Sequence, residues 1–158
     1  MSTRFVLISG LIAAGLLAAC SQNAGTPESQ AAATGNRIQF VANMDGQQET
    51  PPIATDANGS GSIMLDRATR KLYWDLSYNN LSSPVTAAHF HGPSGPGVAA
   101  DVQVPVDAPS GPTERVQGEA QLSDEQMREV LDGLWYVNIH TEEHPDGEIR
   151  GQVENAGM

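Results

Sequence analysis

The eight residues KLYWDLSY, Lys71–Tyr78, decide the fold class of this chain. Large apolar side chains occupy every second position, at Leu72, Trp74, Leu76 and Tyr78. Successive side chains of a β-strand point to opposite faces, so this alternation places all four on one face. The segment therefore predicts a strand whose one face belongs to a hydrophobic core.

Short runs of the same kind recur along the chain from residue 37 onward. Turn-forming pairs such as Asp45-Gly46, Asn58-Gly59 and Asp146-Gly147 separate them. The further strand candidates cover residues 38–44, 62–65, 85–91, 101–104, 115–120, 134–140 and 148–153. About eight short strands joined by turns within one domain are typical of an antiparallel β-sandwich or barrel.

One short amphipathic helix is predicted between the last candidates. Ser123 and Gln126 have the spacing of a capping box, in which each side chain bonds the main-chain N–H of the other residue. Apolar residues follow at helical spacing at Met127, Val130, Leu131 and Leu134. Gly133 can end the helix in the left-handed region, and we expect the helix to cover one end of the sandwich.

The N-terminal segment has the pattern of a bacterial lipoprotein. A basic start, Met1–Arg4, precedes an apolar run, Phe5–Leu17, that is short for a membrane span. The following Leu17-Ala18-Ala19-Cys20 resembles a lipobox, which predicts a signal peptide at 1–19 and lipidation of Cys20. An uncleaved apolar anchor or a plain secretory signal with a leftover cysteine are the alternatives.

A flexible linker at 20–36 and a folded domain at 37–155 complete the predicted organisation. The linker is rich in small and polar residues and shows no apolar periodicity. A domain tethered in this way lies outside the cytoplasm at the cell envelope. Ser21, where aspartate would favour the inner membrane, points to the outer membrane in a Gram-negative host.

Composition narrows the classes of partner. The formal net charge of −11 disfavours nucleic acid and anionic lipid headgroups, and it is compatible with attracting cations or simply with solubility. Cys20 is the only cysteine, which excludes an internal disulfide and a zinc–thiolate cluster.

All four histidines lie in two short segments, His89 and His91 in AAHFHG and His140 and His144 in NIHTEEHP. On a strand, His89 and His91 point to one face with Cα atoms about 7 Å apart, a spacing from which two imidazoles can converge on one ion. If the two segments are neighbouring strands, three or four imidazoles meet at one rim of the sandwich. Imidazole ligation favours copper, with zinc second.

The neighbours of the histidines suggest supporting roles. Glu142, Glu143 and Asp146 can supply a carboxylate ligand or an acceptor that fixes a histidine tautomer. Glu148 and Arg150 alternate on the last strand candidate and are expected to form a surface or rim ion pair. Arg150 can instead hydrogen-bond the loop carbonyls near the histidines. The alternative to a metal site is that the histidines only cap strand ends and hold loop turns.

Alternation in LWYVNIH, residues 134–140, sets the direction of His140. Trp135, Val137 and Ile139 form a uniformly apolar set and are predicted to face the core. His140 then points away from the deep core, on the same face as Tyr136 and Asn138.

Three stretches of the chain resemble the CHRD domain, a module named after chordin that occurs in single copy in bacterial exported proteins. They are QETPP (Gln48–Pro52), KLYWDLSYNNLSSPVTAAHFHGPSGPG and LWYVNIHTEEHPDGEIRGQV. The resemblance implies a Greek-key β-sandwich, Ig-like or superoxide-dismutase-like, and brings no established activity with it. His89-Phe90-His91-Gly92 is also similar to the copper-binding H-x-H pair of Cu/Zn superoxide dismutases, although the disulfide and an identifiable bridging histidine are missing.

These observations favour a lipid-anchored binding protein with a copper or zinc site, rather than an enzyme. A metal-free interaction or adhesion module with an undetermined envelope partner is the first alternative. A mononuclear copper enzyme similar to superoxide dismutase is the second.

Overall fold

The computed structural model describes residues 35–157, and these form one β-rich domain. The strands are β1 Arg37–Asp45, β2 Asn58–Asp66, β3 Lys71–Asn79, β4 Val85–His91, β5 Val102–Val106, β6 Glu114–Gln121, β7 Tyr136–Thr141, β8 Ile149–Gln152 and β9 Glu154–Asn155. An α-helix, α1, spans Asp124–Leu131, and a 3-10 turn spans Gly46–Gln48. The predicted signal peptide 1–19, Cys20 and most of the linker 20–36 lie outside the described residues.

The strands form one antiparallel sheet in the order β5-β4-β7-β8-β1-β2-β3-β6, with β9 beside β1. The predicted all-β antiparallel fold is therefore confirmed. The halves β6-β3-β2-β1 and β8-β7-β4-β5 meet through a short contact in which Asp45 pairs with Arg150. Connections from β3 to β4, β5 to β6 and β6 to β7 cross between the halves, as in Greek-key folds.

The core lies between the two halves of the sheet and contains the residues that the period-two alternation predicted to be buried. The predicted β3 set is 7% exposed at Trp74 and at most 1% exposed at Leu72, Leu76 and Tyr78. Trp74 on β3 contacts Phe90 on β4 with ring centroids 5.3 Å apart, and Trp135 lies 6.3 Å from Phe90. Truncating one such aromatic to alanine typically costs about 3–5 kcal/mol, so these rings hold the halves together.

The predicted helix and its caps are present. The Ser123 hydroxyl accepts from the Gln126 N–H, and the Gln126 side chain accepts from the Ser123 N–H. Gly133 adopts φ +70°, where a side chain would be strained, just after the helix ends. Val130 is fully buried, so α1 packs on the core as its apolar stripe predicts.

Strand bounds differ from the prediction in three places. β2 begins at Asn58, so the predicted turn at Asn58-Gly59 is wrong; both residues pair with β1 on one side and β3 on the other. β5 continues through Pro105 to Val106, because an edge strand tolerates a residue that donates no hydrogen bond. β7 begins at Tyr136 rather than at residue 134. Among residues 35–157, no helix combines the length and apolar content needed to cross a bilayer.

Candidate metal centre

The sheet brings the two histidine segments together as adjacent strands. β4 pairs with β7 so that His89 lies opposite Asn138, while His140 lies opposite Ala87. His89 and His140 are thus diagonal neighbours on one face, and diagonal positions in an antiparallel pair are within reach of long or aromatic side chains. His91 follows two positions along β4 on the same face.

Three imidazoles converge at this place. The ring centroids of His89 and His91 are 5.4 Å apart, those of His89 and His140 5.2 Å, and those of His91 and His140 6.0 Å. One nitrogen from each ring lies within 4.8 Å of the others. His89 Nδ1 and His140 Nε2 are 3.4 Å apart, and two nitrogens bound to one tetrahedral ion at 2.0–2.1 Å are separated by about the same distance.

Main-chain carbonyls orient two of the rings. His91 Nδ1 lies 3.0 Å from the Ala100 carbonyl oxygen, and His140 Nδ1 lies 3.0 Å from that of Pro145. A carbonyl only accepts, so both Nδ1 atoms carry the proton and both Nε2 atoms present a lone pair. The lone pair of His140 Nε2 faces His89 Nδ1 at 3.4 Å. His91 Nε2 is buried and has no hydrogen-bond partner among the described residues. This arrangement of an N–H to a carbonyl and an open Nε2 is the one that metal-binding histidines adopt.

The electrostatic surroundings keep these imidazoles neutral. Burial lowers the pKa of His89, with a further contribution from His140. Burial also lowers the pKa of His91 below its usual range. The pKa of His140 is lowered by burial despite the opposing effects of the Pro145 carbonyl and the Asp146 charge. Neutral imidazole is the form that binds metal, so the site is in its binding form at neutral pH.

A stack of side chains that the sequence did not reveal supports His91. The His91 ring stacks on Tyr136 with centroids 5.0 Å apart and planes 4° from parallel. The guanidinium carbon of Arg150 lies 3.5 Å from the centroid of the Tyr136 ring. The Tyr136 hydroxyl accepts from the Ala100 N–H at 3.1 Å, so Tyr136 holds both the ring and the residue whose carbonyl orients it.

Arg150 binds the loop that follows His91, which is the second of the two contacts that the sequence suggested for it. It donates to the Gly95 and Val98 carbonyls at 3.2 and 3.0 Å. The expected ion pair with Glu148 is wrong, because the buried Glu148 carboxylate instead accepts from Ser82, Thr55 and Thr141. Neighbouring hydroxyls and a main-chain N–H satisfy that carboxylate without a cation.

The other predicted site residues occupy the turn after β7. His144 is outside the group of three converging imidazoles, and its carbonyl accepts from Thr141 and Gly147 to close the turn. Glu142 and Glu143 use their main-chain N–H groups to bond Pro84 and the Ser83 hydroxyl. The acceptors that fix the tautomers are therefore carbonyls, which sequence reasoning had not identified.

The polar face of β7 is covered rather than exposed. Trp135, Val137 and Ile139 face the core, as predicted. Tyr136 and Asn138, on the opposite face, are also buried, at 3% and 5% exposure. His89 and His140 remain half-buried, which leaves the three-histidine centre reachable at its rim.

The fold and the site together define an all-β domain in which three convergent histidines could hold a metal ion. The chain belongs to the CHRD domain family, whose model matches residues 40–153. This confirms the family resemblance of the three sequence stretches. No curated protein and no solved structure matches the chain.

Proposed function

We propose that this protein binds a transition metal through His89, His91 and His140, with copper as the first choice of ion and zinc as the second. One observation carries the proposal: the lone pair of His91 Nε2 is buried and has no hydrogen-bond partner within residues 35–157, beside two other convergent imidazoles. An orphaned buried acceptor is costly, by about 1–3 kcal/mol, unless something binds it. Three neutral imidazoles with an open fourth position suit copper or zinc and do not suit calcium or magnesium.

The proposed setting is the cell envelope. The lipobox-like segment before Cys20 supports a lipid anchor, and the polar linker supports a domain held near the membrane surface outside the cytoplasm. In that position the protein would sequester the metal or present it to an envelope partner. A Gram-negative host with outer-membrane sorting fits Ser21.

A metal-free interaction module remains the alternative, and one distance favours it. The 3.4 Å separation of His89 Nδ1 and His140 Nε2 also fits a long hydrogen bond between two neutral imidazoles. In that case the carbonyl contacts of His91 and His140 serve only to hold the loops.

Metal titration of the purified protein separates these functions. Wild type is expected to bind one Cu²⁺, Cu⁺ or Zn²⁺ per chain, and His89→Ala/His91→Ala is expected to lose that binding while remaining folded. His144→Ala is the matched control, because its imidazole lies outside the cluster. Equal binding by wild type and the double variant rejects the metal site. A superoxide assay on the loaded protein then distinguishes simple binding from a dismutase-like enzyme.

A further inference from the structure

A second feature of the rim is a cavity between the QETPP loop and the turn after β7. Its volume is about 240 Å³. A water molecule occupies about 30 Å³ in the liquid, so the cavity has room for a polar head group with attached methylenes. Its walls are Glu49, Thr50, Pro51, Ile53, Glu143, His144, Pro145, Asp146 and Gly147. We call it the Glu49 cavity.

Glu49 contributes a buried carboxyl in which one oxygen, Oε1, lacks a donor. The residue is 7% exposed, and its Oε1 has no hydrogen-bond partner in the described part of the chain. Its other oxygen, Oε2, lies 3.5 Å from the Asn138 amide nitrogen, and the Thr50 main-chain N–H also donates to the carboxylate. The Asn138 Oδ1 is without a partner in the same part of the chain. Both orphaned oxygens lie 2.7 Å from the position that a Cβ on Gly147 would occupy, so they converge beside a wall of the cavity.

The charge around the cavity is uncompensated. Arg150 acts on Glu49 through space but makes no ion pair with it within 4.0 Å, and it gives N–H donors to two loop carbonyls. The ion pairs among residues 35–157 all lie away from this cavity, on β1, β2, the turn after β2, β3, β6 and α1: Arg37–Asp66, Arg70–Asp124, Lys71–Glu119 and Arg115–Asp75. Glu143 and Asp146, at the mouth of the cavity, are exposed and absent from these pairs.

The missing component is a cation that carries N–H donors. A bare metal ion is a poorer fit, because in the described residues only the three histidines offer ligand atoms that converge closely enough. Hydrogen bonds near 2.8 Å bridge more widely spaced oxygens than metal–oxygen bonds near 2.0–2.6 Å do. The apolar walls Pro51, Ile53 and Pro145 suit methylenes next to the charged group.

We propose that the Glu49 cavity binds an organic cation, the ammonium or guanidinium group of a small amine or of a partner's lysine or arginine. The head group supplies the donors that Glu49 lacks, and its methylenes lie between Pro51 and Pro145. Because Oε1 is covered in the ligand-free protein, binding includes a small rotation of the Glu49 side chain toward the cavity. None of the three clustered histidines lines this cavity, so the inference stands apart from metal binding.

Amide NMR of the full, metal-free chain at pH 8 tests this inference. The probes are n-butylammonium and n-butylguanidinium, with n-butanol as the neutral match. Both cations are expected to shift the amides of Thr50 and Gly147 saturably. The dissociation constant is expected to rise at least about tenfold in Glu49→Gln, because a charge-assisted hydrogen bond is lost. Glu154→Gln, an exposed site outside the cavity, is expected to stay within about twofold.

Two further measurements identify the source of the cation and provide a second variant in case Glu49→Gln does not fold. A blocked Gly-Lys-Gly peptide that binds as well as n-butylammonium indicates a protein side chain, whereas its exclusion indicates a small amine. If Glu49→Gln does not fold, the exposed pair Glu143→Gln/Asp146→Asn is expected to weaken binding about threefold through lost attraction. Equal shifts with n-butanol, or equal affinity in wild type and in whichever of these cavity variants folds, overturns the inference.

Discussion

Replacing either of two buried glutamates, Glu49 or Glu148, by glutamine is expected to change the stability of the fold, and the two changes are expected to have opposite signs. Burial raises the pKa of Glu49 from 4.5 to about 7, against the opposing effects of the Arg150 charge and hydrogen bonds from Thr50 and Asn138. For Glu148, burial also disfavours ionisation, but hydrogen bonds from Ser82, Thr141 and Thr55 outweigh it and lower the pKa. Replacement by glutamine removes the charge at nearly constant shape in each case.

The sign for Glu49 follows from proton linkage. Between pH 4.5 and about 7 the folded protein holds a proton that the unfolded chain has released, so stability falls as pH rises through this window. The full pKa difference corresponds to about 3 kcal/mol above pH 7, and the flanking cavities screen part of it, so about 1–3 kcal/mol is expected. Glu49→Gln should therefore be more stable than wild type by that amount at pH 8 and nearly equal to it at pH 4.5.

Glu148→Gln should behave in the opposite way. Its carboxylate accepts from the Ser82, Thr55 and Thr141 hydroxyls at 2.9–3.0 Å. In the variant one carboxylate oxygen becomes an –NH₂ group, which only donates, so the hydroxyls facing it lose their acceptor. The variant should lose at least about 2 kcal/mol at pH 7. This difference should shrink below pH 4.5, as wild-type Glu148 becomes protonated at its lowered pKa.

Urea unfolding followed by tryptophan fluorescence at pH 3.5, 4.5, 6, 7 and 8 measures both differences, with equal m-values required for the comparison. If Glu49→Gln is no more stable than wild type at pH 8, or its gain does not vary with pH, the assignment of Glu49 as a strained buried carboxyl is wrong.

Three further predictions concern the site and its support. Metal affinity should be nearly independent of pH above about 6.5 and fall at lower pH, because the pKa values of His89, His91 and His140 are lowered. Isothermal titration from pH 5 to 8 measures this, and an affinity that already falls well above pH 7 contradicts it. Tyr136→Leu should weaken zinc binding about tenfold while Tyr136→Phe, which keeps the stacked ring, should lose less; equal losses would assign the effect to the hydroxyl bond with Ala100 instead. Gly92→Ala should lower stability by about 1–3 kcal/mol in thermal unfolding, since the added Cβ would lie 2.4 Å from Trp135 Cδ1, and an unchanged midpoint would show that the loop moves away.

Alternation was sufficient to predict the fold class because the core faces of β1, β3 and β7 are uniformly apolar. Phe40, Leu76 and Val137 are buried as the period-two pattern requires. The path of the sheet was not predictable, because strand order depends on crossovers between the halves rather than on local pattern.

The site was predicted in part for a similar reason. H-x-H on one strand fixes the directions of His89 and His91 locally. The pairing of β4 with β7, which adds His140, joins segments far apart in sequence and is not determined by local pattern. The carbonyls of Ala100 and Pro145 carry no side-chain signal, so nothing in the residue types identified them as orienting groups. The sequence pattern does not indicate that Glu49, within QETPP, is buried, since its burial arises from loops that cover the outer face of β7.

Because His89 and His140 are far apart in sequence, an ion bound at the three-histidine centre would cross-link two distant segments of the chain. These residues are 51 positions apart, in a chain whose only cysteine precludes an internal disulfide. An ion joining them would act as a reversible staple, and a covalent link closing a loop of that length restricts the unfolded chain by about 4 kcal/mol. Metal loading would then lengthen the lifetime of the folded domain against heat and proteases, and acidification would release ion and staple together.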